Sequence, residues 1–230
     1  MKRLLALLLV MAAFFTSCGG SMPGNEKLNV KTDEIQLAVP QRGDTVAEIT
    51  TSAGVIKVLL FPQIAPKAVE NFTQLAQKGY YDGVVFHRVI EGAIIQSGSF
   101  DGTPNGGKSI WELEFEDEFS DLLHHYNGAL SMANHGPDTN GSQFFFVTAE
   151  IGGLSGDILQ QMSDIGWREA VIDAYKQAGG LPSLDWNYTV FGQIYEGLNV
   201  AYDISRVKTN AEDRPEKDVV IESVIVYTVE

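Results

Sequence analysis

What most constrains the fold of this chain is that its apolar residues fall in short runs broken by glycine turns. Ala47-Glu48-Ile49-Thr50-Thr51 leads through Ser52-Ala53-Gly54 into Val55-Ile56-Lys57-Val58-Leu59-Leu60, which reads as strand, turn, strand. β-branched and aromatic residues fill Val84-Val85-Phe86-His87-Arg88-Val89-Ile90, and further strands are expected at Ile94 to Gln96, Gln143 to Val147, Tyr188 to Gly192 and Val219 to Val226. Helical signals are fewer. Pro66 suits a first helical turn, Val69, Phe72 and Ala76 share a face, and Gly79 provides a stop. Short strands, few helices and 23 glycines predict a mainly β domain in the form of a closed antiparallel barrel.

One stretch breaks this rhythm. Gly156 to Gly180 carries Ile158, Met162, Ile165 and Ile172 at helical spacing, with Val171 and Tyr175 beside them. It is expected to form an amphipathic helix, bent at Gly166 and ending near Gly179-Gly180, within a helical insertion over 151–182.

The chain begins with a targeting pattern. Lys2-Arg3 precedes an unbroken apolar run of twelve residues, Leu4 to Phe15. A membrane span needs about 20 residues, so the run fits the apolar core of a secretory leader instead. Thr16-Ser17 then leads to Cys18, the only cysteine, which excludes an internal disulfide framework. The pattern resembles a bacterial lipoprotein signal, which implies lipid attachment at Cys18 after removal of residues 1–17. A simple cleaved signal and an uncleaved anchor are the alternatives. Residues 18–45, rich in Gly, Pro, Asn and charge, are expected to be a flexible tether, and 46–230 the folded domain. The implied location is the bacterial cell envelope, lipid-anchored, at the outer membrane facing the periplasm.

The formal charge is −14, and loss of Lys2 and Arg3 would make it more negative still. Without a basic stripe, nucleic acid is excluded as a partner. Metal chemistry finds no ligand spacing. His124-His125 is a tandem pair that reads as a solvated turn, and the acidic run Glu112 to Glu118 reads as a solvated strand edge or helix start. A nucleophile elbow and a phosphate loop are also missing.

Three polar and aromatic blocks remain. They are Phe86 to Phe100, Gly102 to Ile110, and Leu130-Ser131-Met132-Ala133-Asn134-His135-Gly136-Pro137 through Ser142-Gln143-Phe144-Phe145. With the upstream Ala65 to Phe72 helix and the Gly79 to Gly83 turn, their order resembles the cyclophilin family of peptidyl-prolyl isomerases over about residues 47–228. The resemblance implies an eight-stranded antiparallel barrel capped by two helices, and an enzyme that needs no cofactor. It implies Arg88 as the catalytic cation, with Gln96 and Asn134 as its polar partners. Phe145, Ile94 and Leu184 would line a proline pocket. Ala133, His135, Gln143, Tyr188 and His87 would complete the substrate surface, although a packed core histidine is an equal reading of His87.

Some positions depart from the family. Ala93 and Ser183 stand where large aromatic walls are usual, and Tyr188 where histidine is usual. The insertion is expected either to return an aromatic to the pocket, from Trp167, Tyr175 or Trp186, or to pack elsewhere. His135, in place of alanine, should narrow the neighbouring subsite. The expected partners are proline-containing polypeptides and, through Cys18, a membrane. Two rival readings keep the fold without the turnover: a catalytically weak proline-peptide-binding or chaperone module, and a structural envelope component.

Overall fold

The computed structural model describes residues 34–230. Eight strands form one antiparallel sheet: β1 (Thr45–Thr51), β2 (Gly54–Leu60), β3 (Arg88–Ile90), β4 (Ile94–Ser97), β5 (Ala129–Met132), β6 (Phe144–Val147), β7 (Val190–Glu196) and β8 (Ile221–Thr228). They lie in the order β3-β4-β6-β5-β7-β2-β1-β8. Four helices accompany them: α1 (Pro66–Gln77), α2 (Gly156–Asp164), α3 (Glu169–Ala178) and α4 (Leu198–Ser205).

The closed barrel is thereby corrected to an open, curled half-barrel. No ladder joins the edge strands β3 and β8. Their neighbourhoods meet at an isolated bridge, Val85 to Val220, supported by Phe86 N–H donating to Val219 and Ile221 N–H to Val84. The reason lies in β3, only three residues of the longer run expected over 84–90. The Val89 amide donates to the Asp213 carbonyl, so a loop covers this edge where a strand would have to pair.

The inner face of the sheet is filled by α1. Phe72 lies 5.3 Å from Tyr81 and 5.5 Å from both Phe144 and Phe191, ring centre to ring centre. The first turn of α1 opens on Pro66, and its unpaired Lys67 and Ala68 amides donate to the Glu118 carboxylate at 3.1 and 3.0 Å. Glu118 therefore caps a helix, and Asp117 accepts from Asn134, Asn140 and the Asp138 amide. The acidic run is thus part of the framework at its C-terminal end. At the other end of the sheet, α4 buries Leu198, Ala201 and Ile204 in the same core.

The insertion forms two helices where one bent helix was expected. They are separated at Gly166 (φ 88°), whose backbone a β-carbon would strain. Its buried face also differs from expectation. Met162, Val171, Ile172, Ala174, Tyr175 and Ala178 cluster around Tyr126, while Ile158 and Ile165 face solvent. Within the segment read as a tether, Glu34 and Gln36 are buried against the domain, while most of 38–43 is exposed. Gln36 is fully buried, donating to the His124 carbonyl at 2.7 Å and accepting from the His124 amide at 2.7 Å. Glu34 holds Arg168 of the insertion through two bonds of 2.9 and 3.1 Å. Cys18 and the leader lie outside the described residues.

Candidate functional site

Strand register places the site. Arg88 of β3 sits directly opposite Gln96 of β4, which sits opposite Phe145 of β6. Side chains directly opposed across neighbouring strands share one face of a sheet. The three therefore form a row on the floor of a cavity of about 540 Å³. Ala93 and Ile94 flank this row. Ala133, Asn134 and His135, just past the end of β5, form one side, and Leu184 and Tyr188, just ahead of β7, form another.

Each polar group has a defined state. Arg88 makes one loose contact, Nε to Asp213 Oδ2 at 3.7 Å, with both side chains well exposed. Such a pair is a weak restraint. Gln96 donates from Nε2 to Gln143 Oε1 at 2.9 Å, and Gln143 in turn donates to the carbonyls of Pro104 and Gly106, both at 2.7 Å. Gln96 Oε1 then has no partner among the described residues. Asn134 uses its side chain inward, donating to Asn187 O at 3.0 Å and accepting from the Gly136 amide. Its own backbone N–H and C=O have no partner among the described residues, an open edge one residue long.

The predicted site residues mostly assemble. Arg88, Gln96, Asn134, Phe145, Ile94, Leu184, Ala133, His135 and Tyr188 all line the cavity. Gln143 does not line it and acts through Gln96. Of the two readings of His87, the structure bears out the packed core histidine and not the substrate surface: it is 4% exposed and absent from the lining, because its neighbour Arg88 takes the outward position in the strand. Neither ring nitrogen of His87 makes a hydrogen bond of good geometry. Burial lowers its pKa, with the charge of Arg214 acting in the same sense.

None of Trp167, Tyr175 and Trp186 reaches the cavity. The insertion contributes Leu181 instead, and Ile90, Pro104 and Glu212 complete the lining unanticipated. Ile90, at the end of β3, and Pro104 fall inside two of the blocks already singled out, whereas nothing local marks Leu181 and Glu212, each of which arrives through a loop whose path depends on the rest of the fold.

Behind Phe145 lies a buried polar cluster. The Asp185 carboxylate accepts from His124 Nδ1 (2.8 Å), His125 Nδ1 (2.6 Å), the His125 amide (2.8 Å) and the Tyr175 hydroxyl (2.9 Å). His124 and His125 are 4% and 1% exposed, which overturns the solvated-turn reading. Burial alone would raise the Asp185 pKa, but the bonds from the two histidines outweigh it and the net shift is downward. Burial likewise lowers His125, against the pull of Asp185. Burial next to a carboxylate holds the Tyr175 phenol well above its ordinary value, so it remains a donor.

Residues 46–226 match the family described as cyclophilin type peptidyl-prolyl cis-trans isomerase. A Staphylococcus aureus (strain USA300) protein provisionally named a peptidyl-prolyl cis-trans isomerase is 48% identical over 184 residues, covering 80% of this chain and 92% of its own. A similarly named protein of Staphylococcus epidermidis is 49% identical over 174 residues, covering 76% and 87%. Among solved structures, a Cryptosporidium parvum cyclophilin type peptidyl-prolyl cis-trans isomerase superposes with a TM-score of 0.66 at 29% identity, covering 81% of this chain and 99% of that one. A second structure of that protein, determined in the presence of the dipeptide Ala-Pro, gives 0.64 at 30% identity, covering 80% and 99%.

Proposed function

The chain belongs to the cyclophilin-type peptidyl-prolyl cis-trans isomerase family, and from that premise we propose that its cavity turns X-Pro bonds of exported proteins, with Arg88 as the catalytic cation. The single observation that carries this reading is the Arg88–Gln96–Phe145 row across three strands.

Rotation about an X-Pro bond must cross a barrier of about 18–20 kcal/mol set by amide resonance. Uncatalysed, it takes roughly 10–100 s. As the bond twists, resonance is lost and the prolyl nitrogen becomes pyramidal and basic. A guanidinium directed at that nitrogen stabilises the twisted form over either planar one, which is the requirement for catalysis. Arg88 is permanently charged and only loosely held by Asp213, so its terminal nitrogens can reach a bound amide. The free Gln96 oxygen orients that guanidinium or accepts from the substrate. The Asn134 backbone pairs with the residue preceding proline. Phe145, Ile94, Leu184 and Tyr188 enclose the ring, and His135 narrows the approach before proline.

In a protease-free isomerisation assay on a short proline peptide, the purified protein should accelerate exchange and Arg88→Ala should lose most of that acceleration. Equal rates for the two would rule out the role of Arg88. A second reading, a proline-peptide binder with little turnover, draws on the small residue at Ala93 and the exposed Ser183. It predicts peptide binding without acceleration in the same assay.

The location follows from the leader. We place a lipid on Cys18, holding the domain at the bacterial envelope, at the outer membrane facing the periplasm. Metabolic labelling with a fatty acid should mark the protein, and Cys18→Ala should abolish the label. An unlabelled, soluble wild type would remove the anchor.

A further inference from the structure

The Asp185 cluster ties together, through side chains, three parts of the molecule that are far apart in sequence. Asp185 follows Leu184 directly, and Leu181, Leu184 and Tyr188 all face the cavity. Tyr175 belongs to α3 of the insertion. The His125 ring lies parallel behind Phe145, 6.0 Å away at 13°, and meets Tyr188 edge-on at 6.3 Å. Phe145 and Tyr188 are themselves perpendicular at 5.3 Å.

The chemistry of the cluster is specific. An ionised carboxylate only accepts, so both histidines must carry a proton on Nδ1 to donate to it, and the other ring nitrogen of His124 faces a second acceptor, the Asp121 carbonyl at 3.2 Å. Four donors occupy the roughly four lone-pair positions of one buried carboxylate, which fixes its orientation from every side. A buried charge is a poor stabilising device compared with packed apolar groups, and its directional bonds are better suited to setting geometry.

We infer that Asp185 is a positioning residue, through which the helical insertion holds Leu184, Tyr188 and, by way of the His125 ring, Phe145 at the spacing that grips proline. The inference rests on the reading of this cavity as a proline pocket. It gives the insertion a task in substrate binding, although none of its aromatic side chains enters the cavity. Walls that contact the ring alike in planar and twisted states contribute uniform binding, so their loss weakens affinity and spares the chemical step.

The test measures, in one set of nuclear magnetic resonance samples, the dissociation constant of a proline tetrapeptide and its rate of exchange when saturated. The purified proteins are wild type, Asp185→Asn, Tyr175→Phe and Arg168→Ala. Asp185→Asn should weaken binding about tenfold and Tyr175→Phe about threefold, with the saturated rate within about twofold of wild type, as expected for lost uniform binding. Arg168→Ala cuts the insertion's ion pair to Glu34 and touches none of the cavity lining, so it should lower the melting temperature without changing affinity. Wild-type affinity in both Asp185→Asn and Tyr175→Phe would overturn the inference, as would an equal loss of affinity in Arg168→Ala. If Asp185→Asn fails to fold, Tyr175→Phe decides alone. A wild type that binds without accelerating exchange defeats the isomerase reading and leaves the affinity comparison intact.

Discussion

Ala93 lines the cavity beside Ile94, yet its methyl group covers little of anything bound there. A phenyl ring at this position would close one side of the pocket. If it removes roughly 40 Å² more apolar surface from water on binding, at about 25 cal/mol per Å² the gain is near 1 kcal/mol, or about fivefold in affinity. Ala93→Phe should therefore bind a proline peptide roughly fivefold more tightly with the saturated exchange rate little changed. Titration of the peptide against both proteins checks this. Unaltered affinity would mean that this side of the cavity does not meet proline. Arg88 is the contrasting case, since its contribution is directed at the twisted state and its loss should appear in the saturated rate. The sequence marks both residues because they fall in one block, Phe86 to Phe100, and it is their side chains that separate the two roles.

Among the elements, the insertion depends most on its C-terminal hinge. α3 ends at Ala178 with Gly179 as its C-cap, and Gly180 (φ 129°) then bridges to Tyr126 while Leu181 N–H donates to the His125 carbonyl at 2.8 Å. A β-carbon on Gly180 would stand 2.3 Å from that carbonyl oxygen and 2.8 Å from the Tyr126 Cα, both backbone atoms that cannot swing aside. Gly180→Ala should therefore cost about 3 kcal/mol, lowering the melting temperature by on the order of 6–12 °C. It should also weaken peptide binding, because Leu181 and the Asp185 cluster follow the hinge. A melting temperature within about 2 °C of wild type would show that the backbone there yields easily. The helical end near Gly179-Gly180 and the break at Gly166 were legible in the sequence, since glycine marks both. It could not assign the buried face, because Ile158 and Ile165 keep helical spacing but the break at Gly166 resets the phase between α2 and α3. β5 escaped strand assignment because Ala129 to Met132 is buried on both faces and shows no alternation. The cavity was legible because three contiguous blocks carry most of its lining. Asp185 was not, since its partners lie 10 and about 60 residues away and no spacing rule connects them.

At the scale of the whole molecule, two electrostatic effects oppose each other as pH falls. The chain carries a formal charge of −14, so acidification toward its pI of about 4.6 relieves self-repulsion and favours the compact state. The buried histidines act the other way. His125 and His87 both have pKa values lowered mainly by burial, so below an ordinary histidine value of about 6.5 the unfolded chain binds protons that the native state refuses. Stability from these groups is thus complete above about pH 6.5 and lost as pH falls toward their native values, at up to about 1.4 kcal/mol per pH unit for each. Asp185, held below the ordinary carboxylate value, extends the loss into more acidic solution, since its stabilisation disappears only as pH falls through its native pKa. High salt separates the two effects because it screens exposed charges and leaves buried ones nearly unaffected. In about 0.5 M salt, where repulsion is largely screened, the melting temperature should fall by on the order of 3–5 °C per pH unit between pH 6.5 and 5.5. Replacing His87 by Phe removes one of the two groups without sacrificing a hydrogen bond of good geometry, and should flatten that slope by up to half. A melting temperature that stays level or rises with acid at high salt would mean that the histidines accept protons in the folded protein, and that the cluster behind Phe145 opens to water before the domain unfolds.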